Sequence, residues 1–381
     1  MGTHPPSGDP GVAPSRSGEH IPELDGVRAT AIWMVLVAHL GFAYPPPAGA
    51  LSWMPAAITK ILGHGWLGVD LFFVLSGFLI TGILLDSRSR ARYFQRFYGR
   101  RALRILPVYF ASIGIASLFY TGAGRYFVLS SLFMANLAGV LSVPIPHGPG
   151  VLWSLAVEEH FYLAWPWLVR LTTRRTLAIV AAGIVLLTPI LRGVAASHGV
   201  SIADVIYPIS IFRFDGLALG ALLALWWRSE AYTRRRSLQI VAGLLAADVA
   251  LTVATAPFGG LGSATPVGVA IRYTQAQWFF AAGMLAILAC RGSLGTALFR
   301  SHFMVLSGEL SYCIYLIHLS LADGYMAVAA GRIEPLVMKF AGPDTAMAVR
   351  ILALLAVTFG IAWLSRAYLE RPFLSLKRHL A

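Results

Sequence analysis

Long apolar segments recur along the whole chain, and they constrain its fold more than any other feature of the sequence. Eleven such segments can be delimited, at residues 28–44, 66–85, 105–121, 126–142, 155–171, 176–191, 209–227, 238–255, 274–290, 303–323 and 347–368. Most approach the roughly 20 residues that a helix needs to cross a bilayer. Only 12% of the residues are charged, whereas soluble domains carry about 25%. Because backbone polar groups must be paired within lipid, the sequence predicts an all-α integral membrane protein, a polytopic helix bundle.

Basic residues are concentrated in alternate loops, and loops of this kind face the cytoplasm. The arginine-rich loops are 86–104, 170–175, 228–236 and 291–300, with a basic C-terminal tail, whereas 45–65, 192–208, 256–273 and 324–346 are poor in Lys and Arg. Three apolar segments lie between the first two basic loops, where an even number of crossings is required. We therefore expect residues 126–142 to form a re-entrant or interfacial helix, leaving about ten transmembrane helices and both termini in the cytoplasm. Eleven crossings, with one loop breaking the charge rule, are the alternative.

The formal net charge of +13 does not indicate a nucleic-acid partner, because the arginines lie between membrane segments; the expected partner is the lipid bilayer. Residues 1–20 are rich in Pro, Gly and Ser and are expected to form a disordered tail without the apolar core of a signal peptide. The transmembrane domain is predicted over 21–374, followed by a short cytoplasmic tail at 375–381. Neither zinc-ligand spacing nor a glycine-rich phosphate loop is present, so no metal is expected.

Two ionisable residues, Arg28 and His39, lie in the first apolar segment. They are eleven positions apart, which is about three helical turns, so both lie on one face, about 16 Å apart. Ionisable side chains at membrane depth are costly and point to function. A neutral imidazole near mid-membrane could take a proton from a hydroxyl group. A structural hydrogen bond for His39, a topology anchor for Arg28 and a helix N-cap at Asp25 are the alternatives.

Two adjacent carboxylates, Glu158 and Glu159, lie in a later apolar segment. If this helix runs inward to Arg170, Glu159 is eleven residues from the cytoplasmic edge, as His39 is from Arg28. The equal depth predicts that Glu159 could contact His39. For Glu158, an ion pair or a position at the outer surface is the alternative.

The first basic loop carries an arginine at every fourth position from Arg88 to Arg104, with aromatic residues between them. On a helix these arginines would form one basic stripe. The stripe is typical of an amphipathic helix on anionic lipid or of a cytoplasmic phosphate site, since guanidinium groups suit phosphates. Arg101 and Arg104 lie one turn apart on one face.

Further ionisable residues lie in later apolar segments. Asp70 is expected to meet a positive group. Arg213 and Asp215 are too close in sequence to face each other on a helix, so we expect them to pair with other helices.

Six motifs, in order over residues 24–373, resemble the acyltransferase 3 family of membrane O-acyltransferases. They are Leu24–Arg28 with His39, Gly68–Phe78, Arg100–Pro107, Trp153–Glu159, Ser311–His318 and Glu370–Phe373. The resemblance implies about ten spanning helices in a bacterial cytoplasmic membrane, with acyl-coenzyme A, most commonly acetyl-coenzyme A, as the cytoplasmic donor. It also implies a hydroxyl acceptor: a sugar, a glycoside or a macrolide antibiotic. His160 stands where many members have Gln, which leaves the acceptor open.

The resemblance also implies site residues. The Arg-x10-His pair of the family falls on Arg28 and His39, and its Arg-x-x-Arg motif falls on Arg101 and Arg104. We expect Arg100, Arg101 and Arg104 to hold the donor phosphates.

In the mechanism that this implies, His39 is a general base or a transient acyl carrier. Glu159 or Glu158 would orient its imidazole, and Arg28 would steady the donor or the developing oxyanion.

Two other functions fit the same residues. A proton-coupled transporter or flippase of a glycoside or lipid-linked sugar could use His39, Asp215 and His318 as a proton relay. A binding protein with a degenerate acyltransferase fold would hold the donor without turning it over.

Overall fold

The computed structural model describes residues 20–380, whose regular secondary structure is helical, with no strand in that range. In chain order the helices are α1 (Pro22–Phe42), α2 (Ala56–Gly63), α3 (Gly68–Asp86), α4 (Tyr93–Phe119), α5 (Gly124–Ser131), α6 (Leu152–Leu171), α7 (Arg174–Ser197), α8 (Phe214–Trp227), α9 (Arg234–Thr255), α10 (Pro266–Ala289), α11 (His302–Tyr325), α12 (Gly331–Ala341), α13 (Pro343–Ser365) and α14 (Arg371–Ser375). The all-α prediction is confirmed. The predicted disordered tail lies outside the described residues, apart from His20.

Seven helical stretches of the described chain are long and apolar enough to cross a membrane. They are Pro22–Phe42, Ala56–Asp86, Tyr93–Phe119, Arg174–Ser197, Arg234–Phe258, His302–Ala341 and Pro343–Arg378. Beside these, α6 and α10 have 20 and 24 residues, and α8 has 14. The chain is a multi-pass membrane protein, and the count of about ten crossings stays a prediction.

Residues 126–142 do not form the single helix that the sequence predicts. The eight residues of α5 are about 12 Å long, too short to cross a bilayer. Phe133 and Ser142 have positive φ angles of 56° and 50°, which interrupt a right-handed helix on either side of a 3-10 turn at Ala135–Leu137. Re-entry of this segment into the bilayer stays a prediction.

The arginine-rich loops converge at one end of the bundle, which we call the basic end. Arg228 donates two hydrogen bonds to Asp86, of 2.8 and 2.7 Å. Arg300 pairs with Glu23 in the first turn of α1, and Arg88 donates to main-chain carbonyls between α6 and α7. The loops poor in Lys and Arg lie at the opposite end, which we call the far end. The charge pattern therefore separates the two ends correctly.

The basic stripe predicted from Arg88 to Arg104 is interrupted. Arg92 adopts a left-handed conformation with φ of 55° and precedes α4, which begins at Tyr93. Only the later members of the stripe lie on α4. The predicted amphipathic helix is therefore wrong for the first two arginines.

Glycines allow α1, α3, α8 and α11 to approach closely. A Cβ at Gly308 of α11 would overlap the carbonyl oxygen of Asp25 in α1, and a Cβ at Gly77 of α3 would overlap the carbonyl oxygen of Leu217 in α8. Small residues at such contacts are typical of packed membrane helices. The result is that α1 packs against α3 and α11, which brings the polar residues of these helices together.

Candidate active site

His39 and His318 form the closest polar contact between α1 and α11 near the far end. Nδ1 of His39 lies 2.8 Å from Nε2 of His318, and the two rings are nearly parallel, with 5.1 Å between centroids and 4° between planes. His318 is buried, whereas His39 is partly exposed. His39 lies in the last turn of α1, three residues before Phe42, and its predicted depth in the membrane stays a prediction.

The contacts of His318 determine which nitrogen atoms carry protons. Its Nδ1 faces the carbonyl oxygens of Tyr315 and Ile314, at 2.8 and 3.2 Å, and a carbonyl oxygen only accepts. Nδ1 of His318 therefore carries the proton. The ring is buried among neutral partners, which favours its neutral form, so its Nε2 accepts from Nδ1–H of His39. This leaves Nε2 of His39 with a free lone pair.

Tyr315 joins the His39–His318 pair to α6. Its ring centroid lies 5.8 Å from that of His318, and its hydroxyl group lies 2.7 Å from Oγ of Ser154. Both Tyr315 and Ser154 are buried. The contact fixes the first turn of α6 beside the two histidines.

Glu158 and Glu159 bind residues other than His39. Glu158 accepts hydrogen bonds from the hydroxyl groups of Ser76 and Tyr162, at 2.9 and 2.8 Å. Glu159 lies 3.4 Å from Nε of Arg101, whose guanidinium carbon is 3.2 Å from the centroid of the Tyr162 ring. Among the described residues, the hydrogen-bond partner of the His39 ring is His318. The orienting role predicted for the two carboxylates therefore has no supporting contact.

Five cationic residues lie between the basic end and the histidines, and we call them the cation cluster: Arg28, Arg100, Arg101, Arg104 and Lys377. Arg104 lies close enough to Arg28 and Arg101 for their charges to repel one another. Lys377, on a 3-10 turn that packs against α4, is repelled in the same way by Arg100 and Arg104. The sequence predicted Arg100, Arg101 and Arg104 as a phosphate site and Arg28 as a separate group that steadies the donor, whereas Lys377 served only as a topology signal.

Four carboxylates face the cation cluster. Asp25 binds Arg28 at 2.6 Å, Glu159 lies 3.4 Å from Arg101, and Glu158 and Glu370 lie close enough to attract Arg101 and Arg104, respectively. Asp25 lies in the first turn of α1, whose N-cap is Ile21, so the predicted capping role is wrong. The five cations outnumber these four carboxylates by one, and this small positive excess favours an anionic ligand here.

A second polar site lies beyond the histidines at the far end. Asp323 of α11 accepts hydrogen bonds from the hydroxyl groups of Tyr44 and Tyr120, at 2.5 and 2.6 Å. It also accepts from Nδ1 of His147 and the backbone N–H of Gly148, both at 2.8 Å. Burial and the bond to Asp323 raise the pKa of Tyr44 above its usual range, so Tyr44 remains a donor. The sequence analysis missed this site, although an aspartate in an apolar segment was a usable signal.

A buried ion-pair network links α3, α7, α8 and α10. Arg213 binds Asp70 and Arg192 binds Asp215, each at 2.8 Å. The side-chain amide of Gln277 donates to both aspartates, at 3.0 and 3.2 Å. The prediction that Arg213 and Asp215 pair with other helices is confirmed, as is the positive partner of Asp70. Because Asp215 binds Arg192 and Gln277, the predicted relay through it gains no support.

Comparisons with known proteins identify the family of this chain. A family model described as an acyltransferase domain matches residues 21–367. YrhL of Bacillus subtilis, named as a candidate peptidoglycan O-acetyltransferase, is 31% identical over 57% of this chain and 35% of its own length. The peptidoglycan O-acetyltransferase OatA of Listeria monocytogenes is 29% identical over 55% of this chain and 35% of its own.

The O-acetyltransferase OatA of Staphylococcus aureus is 24% identical over 79% of this chain and 50% of its own. The chain thus spans between about a third and a half of the length of these curated relatives. No solved structure matches it.

Proposed function

Because this chain belongs to the acyltransferase 3 family, whose domain model covers residues 21–367, we propose that it is a membrane O-acyltransferase. It transfers an acetyl or other short acyl group from acyl-coenzyme A to a hydroxyl group. The observation that carries this proposal is the free lone pair on Nε2 of His39, fixed by the bond from its Nδ1 to His318. The names of the relatives, which are O-acetyltransferases, support acetyl as the group transferred.

In the proposed reaction, Nε2 of His39 removes the proton from the acceptor hydroxyl as its oxygen attacks the thioester carbonyl. The tetrahedral intermediate then collapses, the carbon–sulfur bond breaks, and the sulfur takes the proton from His39. His318 accepts the Nδ1–H bond throughout, so it stabilises the imidazolium that forms. In the alternative, Nε2 of His39 itself attacks the thioester and carries the acyl group.

The cation cluster supplies the donor site. Arg100, Arg101 and Arg104 would hold the phosphates of coenzyme A, with Lys377 as a further contact, because planar guanidinium groups bind phosphate oxygens in pairs. Arg28 would steady the donor. About 16 Å along α1 separates it from His39, which leaves room for the pantetheine arm between phosphates and thioester.

We propose ten crossings, formed by the seven candidate spans together with α6, α8 and α10. The basic end then faces the cytoplasm of a bacterium, and both termini lie on that side. The acceptor is a sugar, a glycoside or a macrolide; relatives named for peptidoglycan favour a glycan.

The test is release of free thiol from acetyl-coenzyme A by the purified protein in detergent. We expect His39→Ala to lower the rate at least 100-fold, whereas His198→Ala, at an exposed position after α7, is the matched control. A transporter or a degenerate binding protein would release no thiol. Mass spectrometry of a quenched reaction distinguishes the two chemistries, since only an acyl carrier yields an acylated His39.

A further inference from the structure

Three half-buried aromatic rings lie together at the far end. Trp66 precedes α3, Trp153 is the second residue of α6, and Tyr207 precedes α8. The ring centroid of Tyr207 lies 5.8 Å from that of Trp66 and 4.5 Å from that of Trp153. All three helices begin at the far end, so the rings converge there. We call these three residues the aromatic platform.

A buried guanidinium supports the aromatic platform from within. The guanidinium carbon of Arg213 lies 5.4 Å from the ring centroid of Tyr207, 5.7 Å from that of Trp153 and 4.2 Å from that of Tyr273. Within the described chain, its Nε and Nη1 atoms have no hydrogen-bond partner. Cation–π attraction therefore replaces hydrogen bonds on these atoms and fixes the rings.

This arrangement differs from an aromatic belt at the membrane surface. Belt residues point singly toward lipid headgroups, whereas Trp66, Trp153 and Tyr207 pack on one another above a fully buried cation. Packing of this kind holds each ring in one orientation before any ligand arrives. Such preorganisation lowers the entropy cost of binding.

The aromatic platform is connected to the reacting histidines. Ser154, the residue after Trp153, binds Tyr315 at 2.7 Å, and the Tyr315 ring lies beside that of His318. Phe72 and Phe73 reinforce this link, because their rings lie 6.1 Å from those of Tyr315 and Trp153, respectively. A continuous chain of packed side chains therefore connects the aromatic platform to the His39–His318 pair.

We propose that Trp66, Trp153 and Tyr207 bind a hexopyranose ring of the acceptor and direct one of its hydroxyl groups toward Nε2 of His39. One face of a pyranose consists of C–H groups with slight positive charge, which complements the negative face of an aromatic ring. Its hydroxyl groups project from the ring edge and stay free for reaction. This inference rests on the proposed acyltransferase function and narrows its acceptor to a sugar.

The experiment measures thiol release from acetyl-coenzyme A with a panel of hydroxyl acceptors. The panel contains methyl hexopyranosides, a tetrasaccharide of β-1,4-linked N-acetylglucosamine, glycerol and a sugar-free macrolactone. We expect at least one pyranoside to accelerate release above the rate with water, and the two non-sugar compounds to leave it unchanged. If glycerol or the macrolactone is as effective, or if no pyranoside accelerates release, the inference is overturned.

Variants of the platform then test its residues with the active pyranoside. We expect Trp153→Ala to raise the KM for the pyranoside about tenfold, which corresponds to about 1.4 kcal/mol, with the KM for acetyl-coenzyme A within twofold. Trp153→Phe should recover most of the affinity because it keeps a ring. Trp53→Ala removes an exposed tryptophan of the same end and is the matched control.

The outcomes separate this inference from the function on which it rests. An unchanged KM for the pyranoside in Trp153→Ala refutes the platform while the acyltransferase function stands. A wild-type protein that releases no thiol with any acceptor refutes the function itself. If Trp153→Ala does not fold, Tyr207→Leu gives the same comparison, and an unaltered KM there also refutes the platform.

Discussion

Replacing His318 by alanine tests whether this residue sets the tautomer of His39. In the structure, Nδ1–H of His39 has the Nε2 atom of His318 as its acceptor, at 2.8 Å. Alanine removes that acceptor, and the imidazolium that forms during proton transfer loses one charge-assisted hydrogen bond. Such a bond contributes about 1.5–3 kcal/mol, so we expect kcat to fall about 10- to 150-fold.

The assay is the steady-state rate of thiol release with saturating acceptor, for His318→Ala, His39→Ala and the double variant. If the two histidines act as one unit, the double variant is no slower than His39→Ala, because their effects are not additive. The KM for acetyl-coenzyme A should change little, since His318 lies far along α11 from the cation cluster. Tyr315→Phe is the matched control, because it loses the hydroxyl bonds to Ser154 and to the Val151 carbonyl oxygen but keeps its ring beside His318.

Two results would refute the reasoning. An unchanged kcat in His318→Ala would show that the bond to His39 has no role in the reaction. The second result is a His318→Ala variant that is as slow as His39→Ala while His39→Ala keeps residual activity. It would show that His318 is itself the base and that the proton between the two rings belongs to His318 and not to His39.

Three further predictions concern the donor site, the far end and the helix contacts. Arg104→Ala should raise the KM for acetyl-coenzyme A at least tenfold and weaken the dependence of that KM on salt. Arg236→Ala at the basic end is the control, and an equal rise of the KM in both variants, measured by steady-state kinetics, would argue against a phosphate site. Asp323→Ala removes the acceptor of four hydrogen bonds and should lower the free energy of unfolding by at least about 2 kcal/mol, visible as a lower Tm in detergent; an unaltered Tm would contradict this. Gly77→Val should prevent α3 and α8 from packing and lower the yield of folded protein, whereas Gly183→Val, where a side chain meets open space, should not. Similar yields of the two variants by size-exclusion chromatography would count against the close contact between α3 and α8.

Hydropathy and charge predicted two features of the fold from the sequence: the helices and the two ends of the bundle. Apolar length identified the helices, and the alternation of basic loops separated the two ends because each rule depends on local composition. The ends of the helices were less certain. The first apolar segment was delimited at residues 28–44, but α1 spans Pro22–Phe42, which places His39 in its last turn.

The hydrogen-bond partner of His39 could not be predicted, because a contact depends on which helices are neighbours as well as on the depth of each residue along its helix. Glu159 matched His39 in depth, yet it lies on α6, which packs against α3. His318 is 279 residues away in sequence and lies on α11, which packs directly against α1. Only the neighbours of each helix, fixed by glycine contacts such as that of Gly308, decide between the two.

The order of polar groups along the bundle bears on how donor and acceptor would meet. The cation cluster lies toward the basic end, whereas the His39–His318 pair lies near the far end, and the Asp323 site lies beyond it. A donor held by its phosphates at the cation cluster must extend its thioester along α1 to reach Nε2 of His39. An acceptor on the aromatic platform has the shorter approach, from the far end. Two substrates that arrive from opposite ends need no shared entrance. The proposed transfer would then carry an acyl group outward across the bilayer, while coenzyme A stays at the basic end and the acceptor stays at the far end.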